Sequence, residues 1–348
     1  MYNKNMGEKD GAIKEEPLRL SEKLLGDIDK RVVYSDNVTE IGKGIIRKKI
    51  EDEALNVVRG KGISVGPSAF SNVESAGTRM EELTEEGKEV LSRYLDKFNQ
   101  FLDQVGFDDS VIRPTLDNMV VYRSTDPNLT TNGRCDTAAP VAILFLPEGM
   151  GWNDPRIEGL VIHESFHLIN KILVSDNNEG RNLTEEGVVI LENGLQRKKT
   201  DSVDSGVFAE PVAEIGTSYI LPEEASKFGL AYPERDAFTM ALLERLSDIN
   251  GTTIEEEYRE LLKAMVSMDR SYYGLVSSYL NSAGVFGEGN EGFIKSIEFE
   301  TELEGIKTSN FGHPKMDDLF HVAFMGGFEE NLYSWWETCA VKKSLSKV

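Results

Sequence analysis

The chain has 348 residues, 40% hydrophobic and 28% charged, enough for one large domain or two lobes sharing a cleft and too apolar for a disordered protein. Its 60 acidic residues against 38 basic ones give a formal charge of −22, which repels phosphate backbones and anionic lipid surfaces. Nucleic acid and membrane are therefore excluded as expected partners, and an acidic, solvated surface is the plain reading of the charge.

The first ten residues, Met1 to Asp10, contain no apolar core that would serve as a signal peptide, and no run approaches the roughly 18 apolar residues of a membrane helix, so a cytoplasmic protein is expected. Without secretion, the Asn-x-Thr triplets at Asn37, Asn128, Asn182 and Asn250 carry no weight. Residues 1–78 are charged, contain glycine and show only short apolar patches; they read as an extension or small subdomain on the main body. From Thr84 the pattern sharpens. Leu91, Tyr94, Leu95, Phe98, Phe101 and Leu102 recur at helical spacing, which predicts an amphipathic helix ending near Gly106.

Two strands follow, Met119 to Tyr122 and Val141 to Leu146, separated by a loop with Asp-Pro and Asn-Gly pairs; the second run is apolar on both faces. Asp154 and Pro155 supply a helix start, and the helix is expected to run to about Val174. Asn193-Gly194 marks a hairpin within 187–197, and another helix is expected to open at Glu210-Pro211. Beyond residue 221 the chain reads as mostly helical: Phe238, Met240, Ala241, Leu242 and Leu246 mark one helix, Asn250-Gly251 ends it, and Thr253 with Glu256 forms a capping box for the next. The only cysteines, Cys135 and Cys339, are too few and too far apart for a disulfide framework or a cysteine-based metal cluster.

Chemistry concentrates in the segment His163-Glu-Ser-Phe-His167. The chain has four histidines, and two of them stand four residues apart with Glu164 after the first, the HExxH signature. Positions i and i+4 share a helical face, so both imidazoles can reach one ion, and Glu164 sits beside that face within reach of a water on the ion. Two imidazoles need a third protein ligand and an open fourth position if the metal is to be catalytic. A third histidine close behind is missing: Leu-Ile-Asn-Lys follows His167, and the next histidines are His313 and His321. A carboxylate is therefore favoured.

The chain here resembles the gluzincins, zinc peptidases with a thermolysin-like site in which a later helix brings Glu-x-x-x-Asp or Glu-x-x-x-Glu to the metal. The matching segment is Phe208-Ala-Glu210-Pro-Val-Ala-Glu214-Ile-Gly, and the resemblance covers residues 138–220, with only its first motif strongly specific. It implies Glu210 as the third zinc ligand and Glu214, one turn on, as the residue that hydrogen-bonds a ligand histidine from behind. Glu186 is the rival, followed by Gly187 as in the aminopeptidase branch of that family, but the residues after it read as strand and no carboxylate stands at residue 190. The resemblance also implies an α+β, zincin-like fold. Residues 79–220 would form the catalytic lobe, a small mixed sheet with the active-site helix, and residues 221–348 a mostly helical C-terminal lobe.

The expected activity is zinc-dependent hydrolysis of a peptide or protein substrate, with Glu164 as general base and then as proton donor to the leaving amine. Tyr219, Tyr232, His313 and His321 are candidates for a second oxyanion donor. By the same resemblance a peptide would lie extended along an edge strand, for which Val141 to Leu146 is the candidate. Two other readings stay open: a non-catalytic binding protein on the same scaffold, and a zinc hydrolase of a non-peptide amide.

Overall fold

The structure, a computed structural model, describes residues 19–36, 38–60, 78–125, 133–135, 139–176, 188–192, 206–221 and 233–267. These form a mixed α+β arrangement with two small sheets. In chain order they are α1 (Glu22–Arg31), β1 (Val32–Tyr34), α2 (Glu40–Val58), β2 (Thr78–Met80), α3 (Glu85–Val105), β3 (Met119–Ser124), β4 (Gly133–Cys135), β5 (Ala142–Pro147), α4 (Pro155–Ile169), β6 (Ile172–Asp176), β7 (Val188–Glu192), α5 (Gly206–Ile220), α6 (Pro233–Asn250) and α7 (Ile254–Ser267). No described helix is long and apolar enough to cross a membrane.

The larger sheet has the order β2-β3-β5-β4, with β3 and β5 parallel and the two outer strands antiparallel to their neighbours. Side chains alternate across a strand, and both faces of this sheet are covered. On one face Val120, Ile143 and Phe145 pack with Leu24 and Ile28 of α1 and with Ile46 and Ile50 of α2. On the other, Met119, Val121, Ala142, Leu144 and Leu146 pack with Leu91 and Leu95 of α3 and with Ile157, Val161 and Leu168 of α4. This double coverage is why the run from Val141 to Leu146 is apolar throughout. It also places helices of the first 60 residues in the same core as β3 and β5.

The helix starts read from the sequence obey local rules. Thr84 caps α3 by accepting from the Gly87 amide, and Gly106 ends it in the left-handed conformation at φ 88°. Asp154 caps α4 by accepting from the Arg156 amide. Thr253 and Glu256 exchange the reciprocal bonds of a capping box at the start of α7, 2.8 and 3.2 Å long.

Three expectations need correction. Helix α4 ends at Ile169 rather than near Val174, because Asn170 is extended and Ile172–Asp176 forms β6, parallel to β1 and antiparallel to β7. Helix α5 begins at Gly206, so Glu210 is not its first residue and Pro211 lies inside it, where the missing N–H removes one helical bond. Strand β5 is paired with both β3 and β4 over Ala142 to Leu144, so the outer strand beside α4 is β4. The hairpin turn at Asn193-Gly194 lies outside the described residues.

Helix α5 reaches α4 closely because residue 216 is glycine. A Cβ there would stand 2.1 Å from the Tyr258 hydroxyl and 2.2 Å from Cζ of Phe166. Phe166 is held from its other side by Phe98, edge-on at 4.9 Å, and Phe101 at 5.7 Å, so it cannot retreat. The Tyr258 hydroxyl donates to the Val212 carbonyl at 2.8 Å, fixing α7 to α5. Gly216→Ala gains about 1 kcal/mol of helix propensity, but overpacking a filled core costs about 1–3 kcal/mol, and here both obstructing groups are buried. A net loss of stability is expected, read as a lower urea midpoint with an unchanged slope.

Candidate metal centre

Helix α4 turns three kinds of residue in three directions. Ile157, Val161 and Leu168 face the sheet, Phe166 faces α3 and α5, and His163 and His167 face α5. The imidazoles are one turn apart, their ring centroids separated by 5.0 Å, and both present Nε2 to the same point, 3.2 Å from each other. From α5, Oε2 of Glu210 lies 3.2 Å from Nε2 of His163 and 3.5 Å from Nε2 of His167. His163, His167 and Glu210 could together hold a metal ion.

The donor triangle tests that fit. Zinc ligands at bond lengths of about 2.0 to 2.1 Å in a tetrahedron stand about 3.3 Å apart, and the three edges here are 3.2, 3.2 and 3.5 Å. Two imidazole nitrogens and one carboxylate oxygen are also a donor set zinc accepts in catalytic sites. The side chains retain 21%, 11% and 28% exposure, so the cluster is open to solvent on one side.

The local electrostatics follow from the packing. Burial alone would raise the Glu210 pKa, but the facing imidazoles, His167 foremost, overcome it and hold that carboxyl far below the usual range. Burial works most strongly against a charged imidazole at His163, yet the hydrogen bond to Glu210 and the negative charges of Glu210 and Glu164 together leave that pKa raised. Glu164 behaves differently: burial raises it, and the two imidazoles only partly oppose the shift.

Glu164 is 4% exposed, and among the described residues its buried Oε2 has no hydrogen-bond partner. The backbone N–H of Cys135, on β4, donates to its carboxylate. Its Oε1 presses against Gly133 of the same strand, where a Cβ would stand 2.3 Å from Oε1 and 2.7 Å from Cδ1 of Leu160. The sequence suggested only a loop turn at this glycine; its use is to let the outer strand lie against Glu164. Gly133→Ala should displace the carboxylate while leaving the donor triangle alone. Zinc affinity should stay within about twofold, whereas any Glu164-dependent turnover should fall by up to about 10²-fold, as misplacement by about 1 Å can cause. Titration with a zinc chelator alongside kcat separates the two.

Glu214 lies one turn beyond Glu210 on the same helix and is 8% exposed. Tyr219 is further along α5, its ring 5.0 Å from that of Tyr258. Glu186, Tyr232, His313 and His321 lie outside the described residues. Sequence reasoning missed Gly133, the Cys135 amide and Arg31, whose guanidinium reaches the end of α4 from α1. No protein-family model, no curated protein and no solved structure matches the chain.

Proposed function

We propose that the chain is a zinc-dependent metallopeptidase with a gluzincin-type site on a zincin-like scaffold. The observation that carries the reading is the triangle of two imidazole nitrogens and one carboxylate oxygen with edges matching tetrahedral zinc. His163 and His167 from one helix and Glu210 from another would hold the ion. Zinc bound there supplies Lewis acidity, acidifying water and polarising a carbonyl oxygen.

The chain's own residues do the rest. Glu164 would take a proton from water and deliver it to the amine nitrogen as the C–N bond breaks; water's oxygen ends on the carbonyl carbon. An extended peptide would lie beside strand β4, which is paired on one side among the described residues and touches Glu164.

Metal analysis of the purified chain followed by assay on a mixed peptide library tests the proposal, with Glu164→Gln as control. Stoichiometric zinc with cleavage that depends on Glu164 is expected. Zinc with no cleavage would point to a binding protein on the same scaffold, and cleavage of small amides but not peptides to a different hydrolase.

A further inference from the structure

Arg31, the last residue of α1, is among the largest fully buried side chains described, at 1% exposure. Its Nη1 donates to the carbonyl of His167 at 3.0 Å and to that of Leu168 at 2.9 Å. The last carbonyls of a helix lack the usual partners within it, and α4 ends at Ile169; of the two acceptors, the His167 carbonyl takes one backbone bond, a long one of 3.4 Å from the Asn170 amide, so Arg31 supplies its shorter contact. The guanidinium's positive charge also faces the negative end of the α4 dipole. Its second nitrogen, Nη2, lies 4.0 Å from Sγ of Cys135, on the strand whose amide holds Glu164. One side chain thus touches the turn that carries His167 and the strand that supports Glu164.

A buried cation is an expensive way to fill space, since desolvation costs several kcal/mol per ion, and an apolar side chain would pack α1 on α4 without that penalty. We propose that Arg31 is a positioning residue for the metal centre: by occupying the His167 and Leu168 carbonyls it fixes the last turn of α4 and so keeps the His167 imidazole in the donor triangle. The proposal rests on reading His163, His167 and Glu210 as a metal site. It makes α1 a working part of that site. Helix α4 stops at Ile169, two residues before β6, and the Arg31 clamp lies at that stop.

The test compares the full chain with Arg31→Met, which keeps length but loses charge and donors, and with Arg31→Lys, which keeps charge but loses the planar fork. Asp27→Asn is the control: Asp27 is equally buried on α1 but bonds Lys23 and Asn118 and not α4. Zn²⁺ affinity is measured by chelator competition at a temperature where circular dichroism shows each variant folded, and the absorption of the Co²⁺-loaded forms reports ligand geometry. Arg31→Met should weaken zinc about 10- to 100-fold, the range for residues that support a ligand without touching the ion, and should alter the cobalt bands. Arg31→Lys should recover part of both, and Asp27→Asn should lower the thermal midpoint with zinc affinity unchanged.

Wild-type affinity and cobalt spectrum in folded Arg31→Met would overturn the proposal while leaving the metal site standing. An equal loss of affinity in Asp27→Asn would overturn it too, by showing that stability alone is at work. If Arg31→Met does not fold, Arg31→Lys decides, and wild-type zinc affinity there counts against the proposal. Failure of the wild-type chain to bind either ion removes the metal reading and this inference with it.

Discussion

Glu164→Gln is expected to lower kcat for peptide cleavage by about 10²- to 10⁴-fold, the span attributed to a positioned general acid or base, while zinc content and zinc affinity stay at wild-type levels. The separation follows from geometry. Glu164 takes no part in the donor triangle, which is formed by His163, His167 and Glu210. Glutamine matches glutamate in shape, so it fills the space against Gly133 and Leu160 and still accepts from the Cys135 amide. What it lacks is an oxygen that can take up a proton. Among the described residues Oε2 of Glu164 is buried with no hydrogen-bond partner. Atomic-absorption metal analysis and single-turnover kinetics on one preparation make the comparison. Peptide cleavage persisting at wild-type rate in the variant would remove Glu164 from the reaction.

Local rules made some of this structure legible and left the rest hidden. Helix α3 could be read end to end, since Thr84 caps it, Gly106 closes it and its apolar residues fall on one face. The HExxH face could be read because a four-residue step on a helix fixes the neighbours regardless of what packs around them. The end of α4 could not. Apolar residues stand on both sides of Asn170-Lys171, Leu168-Ile169 before and Ile172-Leu173-Val174 after, a pattern open to helix and strand alike, and the choice is made by partners far away: β1 pairing with Ile172–Val174, and Arg31 at the His167 carbonyl. The same holds for Gly133. Next to Asn132 it has the local appearance of a turn, and only the arrival of Glu164 against β4 shows why a side chain is excluded. Glu210 was reachable through a resemblance and not through periodicity, because in so acidic a chain one glutamate looks like another until α5 is laid across α4 at Gly216.

Glu210→Ala should weaken zinc binding by more than the roughly 10- to 100-fold expected for a residue that merely supports a ligand, and Glu214→Ala should fall within that lower range. The two substitutions remove the same group from one helix a single turn apart, so their difference isolates contact with the donor triangle from general effects on α5. Acidity supplies an independent check. Protons compete with the metal for imidazole nitrogens, and in the metal-free protein the bond to Glu210 raises the His163 pKa above its ordinary value despite burial. Zinc affinity in the wild type should therefore begin to fall at a higher pH than for an ordinary imidazole, and fall further as pH drops through the raised value. Taking Glu210 away leaves burial and the neighbouring His167, which both disfavour protonation of His163, opposed only by the weaker charge effect of Glu164. The acid limb of zinc binding should then move to lower pH even as affinity at pH 8 declines. Opposite movements of plateau and midpoint in one variant are hard to produce by loosening the fold, which would depress affinity across the whole range. Were Glu210→Ala to bind zinc as tightly as the wild type with its acid limb unmoved, the carboxylate would be a bystander and the third ligand would have to come from elsewhere, with Glu186 the first residue to substitute.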